Sequence, residues 1–332
     1  MHNPRRRILL RTGVATGAAW SLGLAPAASA QNLPDAARIL VGFPPGGAPD
    51  FIARRLAGQL TGKLAKTVVV DNRPGAGGRI AAGIARQSPP DGGTLLLNPS
   101  GVLTINPHSY AKLDYDPFRD FAPVSLAAQI DYGFGIGPAV PANVRTLAEF
   151  SAWAKANPGK VSFGSPAAGA PPHFVGDVLN RTLDLGMAHA PYRGAPPALN
   201  DLLGGQISAL VLAVGDLLPH ARAGKLRLLA CTGPARSKFA PALPTFAEQN
   251  VAGLELRDWF AIYIAGAPAA DTMARVVPLV REAASAEAYV QALAGNQLEA
   301  AASTPEALDR LARSDLERWR QIVKASGFVA DS

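Results

Sequence analysis

The sequence predicts an α/β protein in which mainly parallel strands alternate with helices. Of its 332 residues, 48% are hydrophobic and 17% are charged, a balance that excludes a disordered chain. Short apolar runs alternate with segments of helical periodicity, and loops rich in glycine and proline separate them. This alternation is typical of parallel α/β layers. At about 150 residues per domain, the length favours two domains.

The first half of the chain predicts three strands, each followed by a loop. Residues 38–43 form an apolar run, residues 44–47 break it, and apolar residues then recur at helical spacing up to Leu60. The same strand, loop and helix order is predicted for residues 67–72, 73–78 and 80–87. A third strand is predicted at 94–98.

A second set of elements is predicted after Gly137. It comprises helices at 147–156, 172–183 and 195–203 and strands at 160–164, 187–191, 207–212 and 226–232. A further strand is predicted at 256–265, after which the chain is mainly helical. Thr304 and Pro305 are typical of a helix start, and Gly327 is typical of a helix end.

The N-terminus predicts export from the cytoplasm. Arg5, Arg6 and Arg7 precede an uncharged stretch that ends at Ala28-Ser29-Ala30, which is the pattern of a signal peptide over residues 1–30 cleaved after Ala30. The arginine pair before two aliphatic residues also resembles a twin-arginine signal. The alternative is a membrane anchor, but glycine, threonine and proline dilute the stretch. We therefore expect a periplasmic protein.

Charge and reactive residues exclude several classes of function. The formal net charge is +7, but the first thirty residues carry four arginines and no acid, so nucleic-acid binding is not supported. The single cysteine, Cys231, lies in an apolar run and is predicted to be a core residue. No H-E-x-x-H or G-x-S-x-G pattern is present. We predict neither catalytic residues nor a metal site.

A glycine-rich segment at 75–78 lies where a dinucleotide-binding fingerprint would lie. The match fails because Ile80 occupies the position of the helix-packing glycine. Tight-turn chemistry explains these glycines more simply than a cofactor does. An exported oxidoreductase remains the alternative hypothesis.

Two strand-to-helix loops could bind an anion through backbone amides. Residues 44–50 form the first loop, and residues 164–173 form the second. Asp50 has two interpretations, a direct role in binding or helix capping alone. Ala170 leaves the second helix without a capping oxygen, which predicts free amides there.

The residues resemble the Bug or TctC-like periplasmic solute-binding proteins of tripartite tricarboxylate transport systems. The motifs that carry this resemblance are Phe43-Pro44-Pro45-Gly46-Gly47 with Asp50 and Arg54, Asp71 to Gly78, Pro89-Pro90-Asp91-Gly92, Tyr115-Asp116-Pro117, Asp120 to Pro123, Ala156 to Lys160, Pro191 to Gly194 and Asp201 to Gly205. The resemblance implies a two-domain periplasmic-binding-protein (Venus flytrap) fold with parallel or mixed sheets flanked by helices. It also implies no catalysis and no cofactor.

The resemblance further implies a set of ligand-binding residues. Matched position by position, they are Phe43, Pro45, Gly46, Gly47, Asp50 and Ser100 on one side, and Ser165, Ala168, Gly169, Tyr192, Arg193 and Gly194 on the other. Tyr192 and Arg193 could equally form a packed and solvated loop pair. The chain has Ala167, Ala168 and Ala170 where the family commonly has glycine, asparagine and a hydroxyl residue, and it has Asp216 where the family commonly has a small or hydroxyl residue. The second side has therefore lost polar side chains, which argues against a small dicarboxylate and leaves room for a larger or more apolar acid.

The resemblance implies a receptor that binds a small organic anion between two domains and delivers it to a membrane permease. We expect domain 1 to comprise residues 31–133 and 256–332, and domain 2 to comprise residues 134–255. We expect a monomer. A sensor that uses the same binding fold is an alternative that the sequence does not separate from a transport receptor.

Overall fold

The computed structural model describes residues 33–330. Its strands are β1 (Ala36–Val41), β2 (Thr67–Asn72), β3 (Thr94–Pro99), β4 (Phe121–Ile130), β5 (Tyr132–Ile136), β6 (Ser162–Ser165), β7 (Ala188–Pro191), β8 (Ala209–Ala213), β9 (Arg227–Cys231), β10 (Asp258–Ala265) and β11 (Glu299–Ala300). Its helices are α1 (Ala48–Leu60), α2 (Arg79–Arg86), α3 (Gly101–Thr104), α4 (Asn106–Ser109), α5 (Leu147–Lys155), α6 (Pro171–Leu183), α7 (Ala195–Leu203), α8 (Val214–Arg222), α9 (Ala270–Ser285), α10 (Glu287–Gly295) and α11 (Pro305–Ser326). Within residues 33–330, none of the helices has the length and hydropathy to cross a membrane.

The first sheet has six strands in the order β11-β4-β10-β3-β1-β2. Strand β1 pairs in parallel with β2 and β3, whereas β10 pairs antiparallel with β3 and β4. Alternate residues point to opposite faces, so Leu95 packs in one hydrophobic cluster and Leu96 in another. Both faces are therefore buried, as expected for a sheet covered by helices.

The second sheet has five strands in the order β7-β6-β8-β5-β9. Strands β6, β7 and β8 are parallel, and β5 runs antiparallel to β8 and β9. Its core includes Phe134 and Phe150, whose ring centroids are 5.2 Å apart with an edge-on geometry. The predicted two-domain α/β architecture with mixed sheets is confirmed.

The chain crosses between the two sheets at two points. Strand β4 ends at Ile130 and β5 begins at Tyr132, so Asp131 is the first crossing point. The second crossing lies between β9 and β10. The Arg257 guanidinium joins them, because its Nε donates to Asp131 Oδ1 at 3.0 Å and its Nη2 to Asp131 Oδ2 at 3.3 Å.

The crossings bring together the edges at which the predicted ligand-binding loops leave the two sheets. The carboxyl ends of β1, β3 and β4 lie at the edge where β10 begins, and the carboxyl ends of β6 and β8 lie where β5 begins. The Tyr132 hydroxyl donates to the Asp258 carboxylate across this junction. The loops predicted to bind a ligand therefore emerge toward each other.

Candidate ligand-binding site

The first wall of the candidate site is the loop of residues 43–50 between β1 and α1. Gly46 has a φ of 90°, which favours glycine. Its N–H donates to Asp50 Oδ2 at 3.0 Å, and Arg54 Nε donates to the same oxygen at 2.9 Å. Burial raises the pKa of Asp50, but these hydrogen bonds outweigh it and leave the pKa below its usual value. Asp50 is therefore an ionised anchor for the loop.

Two hydrogen bonds of the Asn72 side chain fix the start of the first wall. Asn72 Nδ2 donates to the carbonyl of Phe43 at 3.1 Å, and Arg54 Nη2 donates to Asn72 Oδ1 at 3.3 Å. Within residues 33–330, the N–H groups of Gly47 and Ala48 have no acceptor. They lie at the start of α1, where backbone amides carry partial positive charge. The first wall therefore offers donors to an anion.

Ser100 directly follows β3 at the junction of the sheets. It is only 1% exposed, and its N–H donates to the carbonyl of Trp259 at 2.9 Å. Burial raises the pKa of Asp258, although hydrogen bonds from the side chains of Ser100 and Tyr132 oppose this effect. The side chain of Ser100 thus joins a buried network rather than lining an open surface.

The second wall is the loop of residues 165–170 between β6 and α6. Ser165 is completely buried, and its hydroxyl donates to the carbonyl of Ala167 at 3.1 Å. Ala167 and Ala168 are exposed, and within residues 33–330 their N–H groups have no acceptor. The exposed donors of this wall are backbone amides, and Ser165 supports them from behind.

Two histidines that the sequence analysis did not select lie behind the second wall. The rings of His173 and His189 are stacked with centroids 3.9 Å apart. The N–H of Gly169 donates to His173 Nδ1 at 3.1 Å, and His189 Nε2 lies 2.8 Å from Ser165 Oγ. Burial, and after it the charge of the neighbouring His173, lowers the pKa of His189 to about 4.

The structure corrects the prediction that the start of α6 carries free amides. Ala170 is indeed the N-cap and has no capping side chain, but Pro171 and Pro172 carry no N–H. The N–H of His173 already donates to the carbonyl of Ala170 at 3.0 Å. The start of α6 therefore supplies few free donors. The free donors of the second wall are instead the N–H groups of Ala167 and Ala168 in the loop before it.

The loop after β7 adjoins the second wall. The N–H of Tyr192 donates to the carbonyl of Ser165 at 2.9 Å, and the N–H of Gly194 donates to the carbonyl of Pro166 at 2.8 Å. The Tyr192 hydroxyl donates to Asp201 Oδ2 at 2.8 Å, whereas Arg193 is exposed. The structure therefore brings this predicted segment against the wall and leaves the Arg193 guanidinium accessible.

The glycines of the 75–78 loop have steric roles. A Cβ on Gly78 would lie 2.8 Å from Val102 Cγ2, and a Cβ on Gly42 would lie 2.7 Å from the Cα of Gly78. Gly75, Gly77 and Gly78 all have positive φ. Positive φ angles and the close approach of this loop to Gly42 and Val102 account for these glycines, as the tight-turn interpretation expects.

Other parts of the described chain add little to the site. Asp216 is exposed on the first turn of α8, at the same edge as the second wall. Within residues 33–330, no cluster of histidine, cysteine and acidic residues could hold a metal. A groove of about 650 Å³ lies away from the two walls, along strand β9. Cys231 is completely buried, as predicted, and burial raises its pKa to about 11.

A family model and similar proteins both assign this chain to the same family. Residues 52–328 match the model of the tripartite tricarboxylate transporter family receptor, TctC. The chain is 32% identical over 310 residues to protein BugT of Bordetella pertussis, covering 92% of this chain and 94% of BugT.

Two solved structures are similar over nearly their whole lengths. R. palustris Rpa4515 with adipate has a TM-score of 0.81 and 26% identity, covering 89% of this chain and 98% of that one. The periplasmic binding protein BugD has a TM-score of 0.79 and 27% identity, covering 90% and 99%. The family comprises solute-binding receptors, and the predicted Bug or TctC-like resemblance is confirmed. The chain belongs to the TctC family of periplasmic solute-binding receptors.

Proposed function

We propose that this protein captures a small organic anion between the first and second walls and delivers it to a tripartite tricarboxylate-type permease. The observation that carries this proposal is the pair of amide-lined loops at adjoining sheet edges. Gly47 and Ala48 supply donors on one side, and Ala167 and Ala168 supply them on the other. Backbone amides bind carboxylates without needing a side-chain cation.

The second wall favours an acid with an apolar body. Ala167, Ala168 and Ala170 carry no polar side-chain atoms, and Pro166 and Pro171 add further apolar surface. Such a surface gains from excluding water from methylene groups but offers nothing to extra hydroxyls. The similar protein Rpa4515 was solved with adipate, a linear dicarboxylate, which supports the same ligand class.

We also propose that the protein acts in the periplasm and binds its ligand without transforming it. A receptor of this kind acts in the periplasm, so we propose that residues 1–30 form a cleaved export signal; these residues lie outside those that the structure describes. Binding alone is required of the site, and we propose no chemical reaction. The candidate residues are those that form the two walls and the adjoining loop after β7.

Calorimetric titration with adipate tests the proposal. We expect binding of one adipate per chain by the wild type and a large loss of affinity in Ala168→Asp. The new carboxylate would lie on the exposed second wall and repel the anion.

The matched control is Ala148→Asp, which places the same charge on an exposed position of α5. We expect it to bind adipate like the wild type. If Ala168→Asp binds every acid that the wild type binds with equal affinity, the second wall is not part of the site. If the wild type binds no organic acid in a panel of mono- and dicarboxylates, the proposed ligand class is wrong.

A further inference from the structure

The stacked rings of His173 and His189 contact the second wall from its buried side. Neither histidine is among the predicted ligand-binding residues. The N–H of Gly169 points at His173 Nδ1 from 3.1 Å, so this nitrogen accepts a hydrogen bond. The other ring nitrogen, Nε2, lies 3.3 Å from Asp177 Oδ2. A neutral ring with its proton on Nε2 satisfies both contacts, because it accepts at one nitrogen and donates at the other.

We propose that His173 is a positioning residue that holds the second wall in its binding shape only while its imidazole is neutral. This inference rests on the proposed function of that wall. Protonation of Nδ1 would place an N–H opposite the N–H of Gly169, and two donors cannot share one hydrogen bond. The loop would then have to turn its Gly169 amide elsewhere.

The surroundings of His173 oppose a positive charge. The ring is 6% exposed, and Phe174 and Phe328 pack against it with centroids 5.0 and 5.3 Å away. Among residues 33–330, the charge of Asp177 on the same helix acts on His173, and Arg181 acts on Asp177. The ring of His189 from β7 stacks on His173. Burial lowers the pKa of His173, although Asp177 opposes this effect.

The loop has little freedom to adapt while the ring is neutral. Gly169 has a φ of 73°, and a Cβ there would lie 2.7 Å from Phe328 Cε1. The aromatic ring of the C-terminal segment therefore covers the outer side of the loop, and His173 holds it from within. Loss of the imidazole contact changes the direction of the neighbouring amides of Ala167 and Ala168.

The direction of the pH effect follows from linkage. Release of the loop removes the Gly169 N–H that opposes a proton on Nδ1, so the pKa of His173 is higher with the loop released than with the loop intact. The intact wall therefore loses stability as the pH falls through the pKa of the released state. A fully solvated histidine, with a pKa of about 6.5, sets the upper limit, at which one proton weakens binding about 30-fold at pH 5.

The test compares three variants by nuclear magnetic resonance of the Gly169 amide and by titration with adipate. Asn in His173→Asn keeps an acceptor near the position of Nδ1 but does not titrate, whereas His173→Leu removes the acceptor. His220→Gln on α8 is the control for replacing a histidine elsewhere. In the wild type and in the control, we expect the Gly169 amide signal to move between pH 7.5 and 5, together with weaker adipate binding.

In His173→Asn, we expect both readouts to be independent of pH over this range. In His173→Leu, we expect the Gly169 amide to exchange rapidly at every pH and adipate affinity to fall about tenfold. A Gly169 signal that titrates equally in His173→Asn, or that is constant in the wild type, overturns the role of His173.

The nitrogen-15 shift of His173 provides a check that needs no ligand. An unprotonated Nδ1 at pH 7.5 supports the proposal, and a proton on Nδ1 in the neutral ring overturns it. If adipate fails to bind any variant while the Gly169 amide behaves as expected, the proposed ligand class fails and the role of His173 in the loop stands.

Discussion

Replacement of Asp50 by asparagine tests whether this side chain anchors the first wall. The carboxylate is 4% exposed and accepts from the Gly46 N–H at 3.0 Å and from Arg54 Nε at 2.9 Å. Asparagine keeps one acceptor oxygen but loses the negative charge. Hydrogen bonds to charged groups contribute about 1.5–3 kcal/mol, against about 0.5–1.5 kcal/mol for neutral ones. We therefore expect Asp50→Asn to lower the free energy of unfolding by about 1–2 kcal/mol.

The arginine partner should matter much less. The Arg54 side chain is 54% exposed although Asp50 is buried, so water can replace the guanidinium at the Asp50 oxygen that faces it, and ion pairs four residues apart on a helix contribute about 0.3–0.5 kcal/mol. Arg54→Gln should therefore cost no more than about 0.5 kcal/mol. The matched control is Asp91→Asn, because exposed Asp91 also accepts a glycine N–H, from Gly93 at 2.7 Å. Its solvated position predicts a loss below about 0.5 kcal/mol.

Urea unfolding at pH 7 and at pH 3 is the assay. Because the pKa of Asp50 lies below 3.8 in the folded protein, its contribution is present above that pH and disappears as the pH falls through the folded value. The difference between wild type and Asp50→Asn should therefore shrink at pH 3. Equal losses for Asp50→Asn and Asp91→Asn, or a larger loss for Arg54→Gln than for Asp50→Asn, would refute the buried-anchor argument.

Two further predictions concern the second wall and the crossing between the sheets. Ala170→Thr should raise the free energy of unfolding by no more than about 0.5 kcal/mol, the low end for an N-cap. Pro171 and Pro172 carry no N–H, and the N–H of His173 already donates to the Ala170 carbonyl, so a threonine hydroxyl gains little. A gain near ~2 kcal/mol in thermal unfolding would contradict this. Arg257→Met should cost about 3 kcal/mol at pH 7, the low end for breaking a buried ion pair, because it leaves buried Asp131 unpaired while Arg257 itself is 24% exposed. Burial already raises the pKa of Asp131, so a protonated Asp131 should reduce this loss near pH 4, and an equal loss at both pH values would be the contrary result.

The local pattern of the sequence predicted most of the elements that carry the site. Strand β2 and helix α7 were predicted with the bounds that the structure shows, and the loops after β1 and β6 lie where glycine and proline interrupt the pattern. Thr304 caps the last helix, with its side chain accepting from the N–H of Ala307 at 3.2 Å, and Gly327 ends it in the left-handed conformation. These features depend on nearby residues, which explains why sequence reasoning found them.

Features that depend on distant pairing were missed or misjudged. Strand β4 was not predicted because its central stretch is buried on both faces and lacks alternation. The histidines were set aside because they match no motif along the chain, yet strand pairing brings His189 onto His173. Ser165 was expected to face a ligand, but its hydroxyl is turned inward to this pair. The division into residues 31–133 with 256–332 and residues 134–255 stays a prediction.

Native mass spectrometry of the protein isolated from the periplasm without refolding tests the central claim most directly. We expect a 1:1 complex whose released ligand has the mass of a small organic acid, or a 1:1 complex formed when adipate is added to ligand-free protein. The same complex should be absent in Ala168→Asp and present in Ala148→Asp. A wild-type protein that carries no acid after isolation and retains none from a panel of mono- and dicarboxylates would contradict the claim that the two walls bind an organic anion.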